Sequence, residues 1–278
     1  METMGILRVS SLAFSILAFC ASVLCVSSLT HAQDAESSPQ AAFAKGNEAY
    51  KQQKWDAAAQ AFQQALDIEP DNPAFLYNLG LTRFQEGKVG HAIALWRRAQ
   101  YLAPDFAPPS VAIAVAQKLH PIREIPHEIL LWENLRQKLL VPLGITPLLS
   151  TLAILFLVTG WLAIIYLGRR RVAEMAGEAM PPAPLAAITC ATLLSLVAMV
   201  TGLKGIDYLI PRGTITAPQV TVHTAPSEDA TELFDLYGGI EVIIRQKHAG
   251  WVQITYPGSY TGWIQTNALL HTAGKSPW

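Results

Sequence analysis

Cysteine is nearly absent from this chain of 278 residues, with only Cys20, Cys25 and Cys190 present. The first two fall in an apolar N-terminal run and the third in a later apolar run, so the polar segments carry no thiol. A disulfide framework and a thiolate zinc site are thereby excluded from them. Charge is also scarce. Charged residues are 15% of the chain and the formal net charge is −1, against about 25% charged in soluble domains. That balance leaves no electrostatic footprint for nucleic acid. The seven histidines are scattered, with no HExxH and no close pair, and His91, His223 and His248 read as surface residues. Walker loops, nucleotide-binding glycine motifs and GxSxG elbows are missing. The adjoining carboxylates Glu228 and Asp229 lie in a turn rather than a cleft. No catalytic residue, cofactor or metal is therefore expected, and the chain reads as a non-enzyme.

What the chain has instead is apolar length, with 51% hydrophobic residues. Arg8 precedes an uncharged stretch from Val9 to Thr30, and Thr30 and Ala32 sit three and one residues before a cleavage point. Residues 1–32 thus read as a secretory signal. The apolar stretch is longer than an ordinary signal core, so an uncleaved anchor stays open. Cys20 and Cys25 follow bulky residues, which argues against lipid attachment. Two further stretches, Leu139 to Gly168 and Ala179 to Leu203, hold no charge at all. With Pro147 and Pro184 at their first turns they predict transmembrane helices at 147–167 and 184–203, long enough for a bilayer core of roughly 30 Å. The loop between them, 168–183, opens with Arg169, Arg170 and Arg171, and short arginine-rich loops stay cytoplasmic. The flanking segments then both lie outside, in a bacterium the periplasm. Along the second span Ala187, Ala191, Ser195, Ala198 and Gly202 form a small-residue face, for span one or for a partner helix. Neither span holds an Asp, Glu, Lys, Arg or His, which argues against a proton relay or ion pathway.

Residues 46–70 and 80–104 repeat one another thirty-four positions apart. Gly46 matches Gly80, Tyr50 matches Phe84, Ala58 matches Ala92, Phe62 matches Trp96, Ala65 matches Ala99 and Pro70 matches Pro104. Ala58, Phe62 and Ala65 share one helical face, and Gly46 and Gly80 are small enough for a neighbouring helix to come close. This region resembles the tetratricopeptide repeats, helix–turn–helix units that stack to bury their apolar faces. Pro108, Pro109 and Ser110 with the following VAIAVAQKL predict a helix capping the open end, so the unit spans 39–118. By repeat position Asn47, Lys51 and Asn78 face the concave groove. Peptide-binding members of the family hold a C-terminal carboxylate with Asn and Lys there, but Phe43 stands where a clamp lysine would be.

Ile129, Trp132, Leu135 and Leu139 recur at helical spacing in 125–140, with Glu133, Arg136 and Lys138 elsewhere. That stretch predicts either an amphipathic membrane-proximal helix or an ordinary one packed under the repeats. Residues 214–271 hold short β-rich runs separated by Gly, Pro and Asn. LFDLYGGIEV, GWVQI, GSYTGWI and NALL resemble a bacterial SH3-type barrel. Gly250 and Gly262 are expected in tight turns. Trp251 and Trp263 are either barrel core or an aromatic groove for a peptide or glycan-linked peptide, and Tyr256 and Tyr260 are expected on the intervening hairpin, placed for contact.

The fold class is a multidomain membrane protein: all-α helical repeats, a two-helix transmembrane hairpin and a small all-β SH3-like barrel. This order of parts resembles the BatE-like, repeat-bearing branch of the bacterial aerotolerance (Bat) group. The resemblance implies a scaffold in the bacterial inner membrane with both modules in the periplasm. Its implied partners are Bat proteins carrying von Willebrand A-type domains and a MoxR-type ATPase. An envelope tether gripping peptidoglycan through the barrel is the alternative.

Overall fold

A computed structural model describes residues 38–120, 133, 135–182, 184–256 and 260–275. The expected leader at 1–32 and most of the stretch at 125–140 lie outside the described residues. Helices α1 (Pro39–Lys51), α2 (Trp55–Ile68), α3 (Pro73–Gln85) and α4 (Val89–Leu102) form two antiparallel pairs, followed by α5 (Pro108–Leu119). The repeat extends to the caps. Ser38 and Asn72 each accept backbone N–H bonds at the start of α1 and α3, and each precedes a proline at the first helical position. Both residues close orphan donors that a helix start otherwise leaves open. The turns inside each pair place Gln53 at φ 58° and Gly87 at φ 79°, again thirty-four positions apart.

The helix crossings explain the paired glycines. A Cβ on Gly46 would lie 2.6 Å from the Phe62 ring, and one on Gly80 would lie 2.4 Å from Trp96 Nε1. Each repeat thus fits one large ring onto one bare backbone. Trp96 Nε1 also donates to the Tyr77 carbonyl at 3.1 Å, which satisfies its polar atom in the core. Ala116 of α5 is buried with Ile93 and Trp96, as a capping helix requires. The far side of α5, with Val111, Val115 and Leu119, is exposed.

Helices α6 (Ile145–Ala176) and α7 (Leu185–Leu209) are both long and apolar enough to cross a membrane. They pack against each other along Leu148, Leu152, Leu155, Thr159, Leu162 and Tyr166 of α6 and Ala187, Cys190, Leu194, Val197 and Thr201 of α7. Alternating steps of three and four on both sides are the spacing by which side chains of two membrane helices interdigitate. Of the small residues in span two, Ala187 joins this seam, while Ala191, Ser195, Ala198 and Gly202 are turned outward. The segment expected as a basic loop at 168–183 is largely helical instead. Arginine is a good helix former, so α6 continues through Arg169–Arg171 until Gly177 ends it in the left-handed conformation at φ 67°.

A seven-stranded antiparallel sheet follows: β1 (Arg212–Ile215), β2 (Gln219–His223), β3 (Glu232–Tyr237), β4 (Glu241–His248), β5 (Trp251–Tyr256), β6 (Tyr260–Gln265) and β7 (Leu269–Ala273). The strand order is β3-β2-β6-β5-β4-β1-β7, with a 3₁₀ turn (Thr266–Ala268) before β7. Its core holds Val222, Leu236, Val242, Ile244, Val252, Ile254 and Ile264. Gly250 occupies the β4–β5 turn at φ 83°, as expected. Gly262 does not sit in a turn. It lies within β6, where a Cβ would be 2.4 Å from Val222 Cγ1 and 2.9 Å from the His223 carbonyl oxygen, so close strand packing is what demands glycine there.

The barrel is not tethered at a distance from the repeats. Helix α4 packs directly on β1 and β7. Gly90 makes that possible, since a Cβ there would stand 2.8 Å from the Thr216 carbonyl oxygen and 2.9 Å from Gly238 Cα. Its counterpart in the first repeat is exposed Asp56. Arg97 Nη1 donates to Thr214 Oγ1 at 3.0 Å across the same seam.

Candidate binding surfaces and a charged junction

Helices α1 and α3 carry Asn47, Lys51 and Asn78. Lys51 is exposed at the end of α1 and Asn47 is half-buried. Asn78 Nδ2 donates to the Ala74 carbonyl at 2.8 Å, so its amide is engaged with its own helix. Phe43 lies 5.5 Å from the Phe62 ring and stacks on Phe75 at 4.9 Å. The position of the family's clamp lysine is thus filled by packed aromatic carbon. A groove on this face would rely on shape and on Asn47 and Lys51.

The barrel residues divide by strand parity. Val252, Ile254 and Tyr256 of β5 point inward, and Tyr256 is only 4% exposed. The expectation of Tyr256 on an exposed hairpin is therefore corrected: strand β5 extends to Tyr256 and its ring completes the core. Trp251 and Trp263 take the opposite face. Trp263 lies across from Gln253 on one side and His223 on the other, and Trp251 packs edge-on to His223 at 5.4 Å. Trp263 is nonetheless buried at 9% exposed, while Trp251 is half-buried. Tyr260 is 48% exposed and pairs with Tyr256, so it shares that residue's face at the open end of the strand, where its ring meets Phe234 at 5.5 Å. The structure joins Trp251, Trp263 and His223 into one aromatic patch and leaves Tyr260 apart from it.

Residues 46–87 match the family model for the TPR repeat. Residues 218–270 match that for the bacterial SH3 domain. No curated protein matches the chain. The TPR unit and the SH3 domain are interaction modules, of kinds that typically lack catalytic activity. Among the described residues, no group of three or more His, Cys, Asp or Glu side chains is placed to hold a metal ion.

Sequence reasoning missed the place where the modules meet the membrane helices. Arg136 begins a short π-helical segment (Arg136–Leu140) and is 4% exposed. Its guanidinium pairs with Glu133 at 2.8 Å, Glu241 of β4 at 2.7 Å and Asp207 of α7 at 3.6 Å. Arg212, 1% exposed at the start of β1, shares Glu133 and Asp207 at 3.4 and 3.5 Å. In the described part of 125–140 the expected amphipathic face is therefore reversed: Arg136 turns inward while Leu135 and Leu139 are half-exposed or more. Three carboxylates waiting inside outweigh the cost of burying that charge. Burial alone would raise the Glu241 carboxyl, but Arg136, Arg97 and Arg212 together hold it below its ordinary value. Burial works against the Arg136 charge too, and Glu241, Glu133 and Asp207 more than offset it. Lys204, near the end of α7, donates to the Leu140 carbonyl. The available signal was charge gathered at segment edges, which sequence spacing cannot pair.

Proposed function

We propose that this protein is a membrane-anchored, non-catalytic scaffold that presents a TPR unit and an SH3 domain from one face of a bacterial inner membrane. The observation that carries the reading is the packing of α4 on β1 and β7, with Tyr101 of α4 stacked on Tyr208 and Arg212 of β1 paired with Asp207, both at the same end of α7. Two interaction surfaces are thereby offered on one side of two apolar rods. The arginines Arg169–Arg171 lie at the opposite end, which favours a cytoplasmic position for that end and a periplasmic one for the modules. Partners would be other membrane or periplasmic proteins. By order of parts these would be Bat proteins with von Willebrand A-type domains, working with a MoxR-type ATPase.

Cysteines placed at Arg170 and at Lys275 test the orientation. In intact spheroplasts a membrane-impermeant maleimide should label position 275 and spare position 170, and the converse pattern would overturn it. For the partners, crosslinking of the full chain in membranes followed by mass spectrometry should recover proteins through the TPR face. Recovery that is unchanged by Asn47→Ala together with Lys51→Ala would sink that assignment.

A second reading rests on half-buried Trp251 and His223, backed by buried Trp263, whose rings suit stacking against a sugar or stem peptide. Under it the SH3 domain grips peptidoglycan. The full chain in detergent should then co-sediment with purified sacculi, and Trp251→Ala should release it.

A further inference from the structure

Between α4, the π-helical segment, the end of α7 and strands β1, β4 and β7 lies a cavity of about 740 Å³. Its walls carry Arg97, Arg136, Lys204 and Arg212, opposed at the buried end by Glu133, Asp207 and Glu241, while the remaining acid, Asp105, is exposed at the rim. Four cations thus face three inner carboxylates, and they are not shared evenly. Arg136 takes all three. Arg212 has only the two longer contacts, and its Nε, in a side chain 2% exposed, has no hydrogen-bond partner among the described residues. Arg97 has its single bond to Thr214 Oγ1 and no carboxylate within 4 Å among the described residues. Lys204 is bonded to a carbonyl rather than an acid. Buried guanidinium groups left short of anions are costly, and a fork of N–H donors suits an oxyanion with several acceptor oxygens.

Position narrows the class of that anion. The cavity is bordered by Gly144, Ile145 and Pro147 at the start of α6 and by Lys204, Asp207 and Tyr208 at the end of α7. Lys204 is the first charge after the uncharged run of α7, so this level corresponds to a bilayer surface. The stacked rings of Tyr101 and Tyr208, 4.7 Å apart, line the same opening, and tyrosine is enriched at headgroup depth. We propose that the cavity binds a phosphate anion at headgroup level, held by Arg97, Arg212 and Lys204 and supplied by an anionic phospholipid or by free phosphate. The depth assignment rests on the reading of α6 and α7 as membrane spans.

The test uses the full chain, first shown to resist alkaline extraction from membranes so that insertion is established independently. Native mass spectrometry from nanodiscs containing phosphatidylglycerol and phosphatidylcholine should show one retained phosphatidylglycerol. Arg97→Gln should weaken that retention about tenfold, the loss expected of one charge-assisted hydrogen bond. Arg97→Lys should keep most of it, and Arg245→Gln, on the exposed end of β4, should change nothing. In a parallel arm, inorganic phosphate is titrated into detergent-solubilised protein against chloride at matched ionic strength while the unfolding midpoint is followed. Selective lipid retention assigns the site to a headgroup, and a phosphate-specific stabilisation without lipid selectivity assigns it to the free ion. An inserted protein that shows neither, or whose retention is equal in wild type and Arg97→Gln, overturns the proposal. Failure of insertion would instead refute the span reading beneath it. Should Arg97→Gln not fold, the wild-type lipid and phosphate arms still decide.

Discussion

Gln53 and Gly87 occupy the same turn of successive repeats, and both stand in the left-handed region. The glycine adopts it freely, whereas glutamine pays for a Cβ crowding its carbonyl. Gln53→Gly should therefore raise unfolding stability by about 0.5 kcal/mol, and Gly87→Ala should lower it by about 1 kcal/mol. Chemical denaturation of the detergent-solubilised chain, read through its helical signal, checks both. Gly80 makes the opposite demand, for space rather than torsion. Gly80→Ala drives a methyl into the Trp96 ring, loosens the bond from its Nε1 to Tyr77 and should cost about 1–3 kcal/mol. A fluorescence shift of Trp96 to longer wavelength accompanies that loss. The glycine and aromatic pairing was legible in the sequence because both halves recur at one fixed offset. The strand parity that sends Tyr256 inward and Trp251 outward was not, because it depends on where β5 ends and on pairings with β4 and β6.

At the scale of elements, α4 does two jobs. One side completes the repeat core through Trp96 and Ala99, and the other meets β1 and β7 through Gly90 and Arg97. Gly90→Leu should leave the helices and the barrel folded while forcing them apart. Hydrogen exchange would then quicken at the β1 and β7 amides facing α4, and unchanged protection there would refute the seam. The sequence announced α4 by its repeat and the sheet by its short β-rich runs, yet nothing in either segment names the other as neighbour. The long helices were readable for a different reason, since lipid demands length and apolarity and those are local properties. What sequence spacing could not reveal is that α6 outruns its apolar run, because arginines extend a helix as readily as they stop a membrane span.

For the molecule as a whole, the junction is an electrostatic hinge pin with a pH signature. Glu241 is held below its ordinary value in the folded chain. Its contribution is present above the unfolded glutamate value of about 4.3 and is lost as pH falls through the lower folded value. Separation of the barrel from α7 should thus set in below about pH 4, seen as loss of protection in β1 and β4. Glu241→Gln should cost about 2 kcal/mol at neutral pH and blunt that acid response. An unaltered acid profile in the variant would assign the transition to other groups. The seam through Gly90 also has a consequence for avidity. Because α4 packs directly on β1 and β7, the spacing of the two grips is set by one helix. A partner whose two contact segments match that spacing gains from simultaneous engagement without the dilution a flexible tether imposes, and one with a mismatched spacing gains nothing.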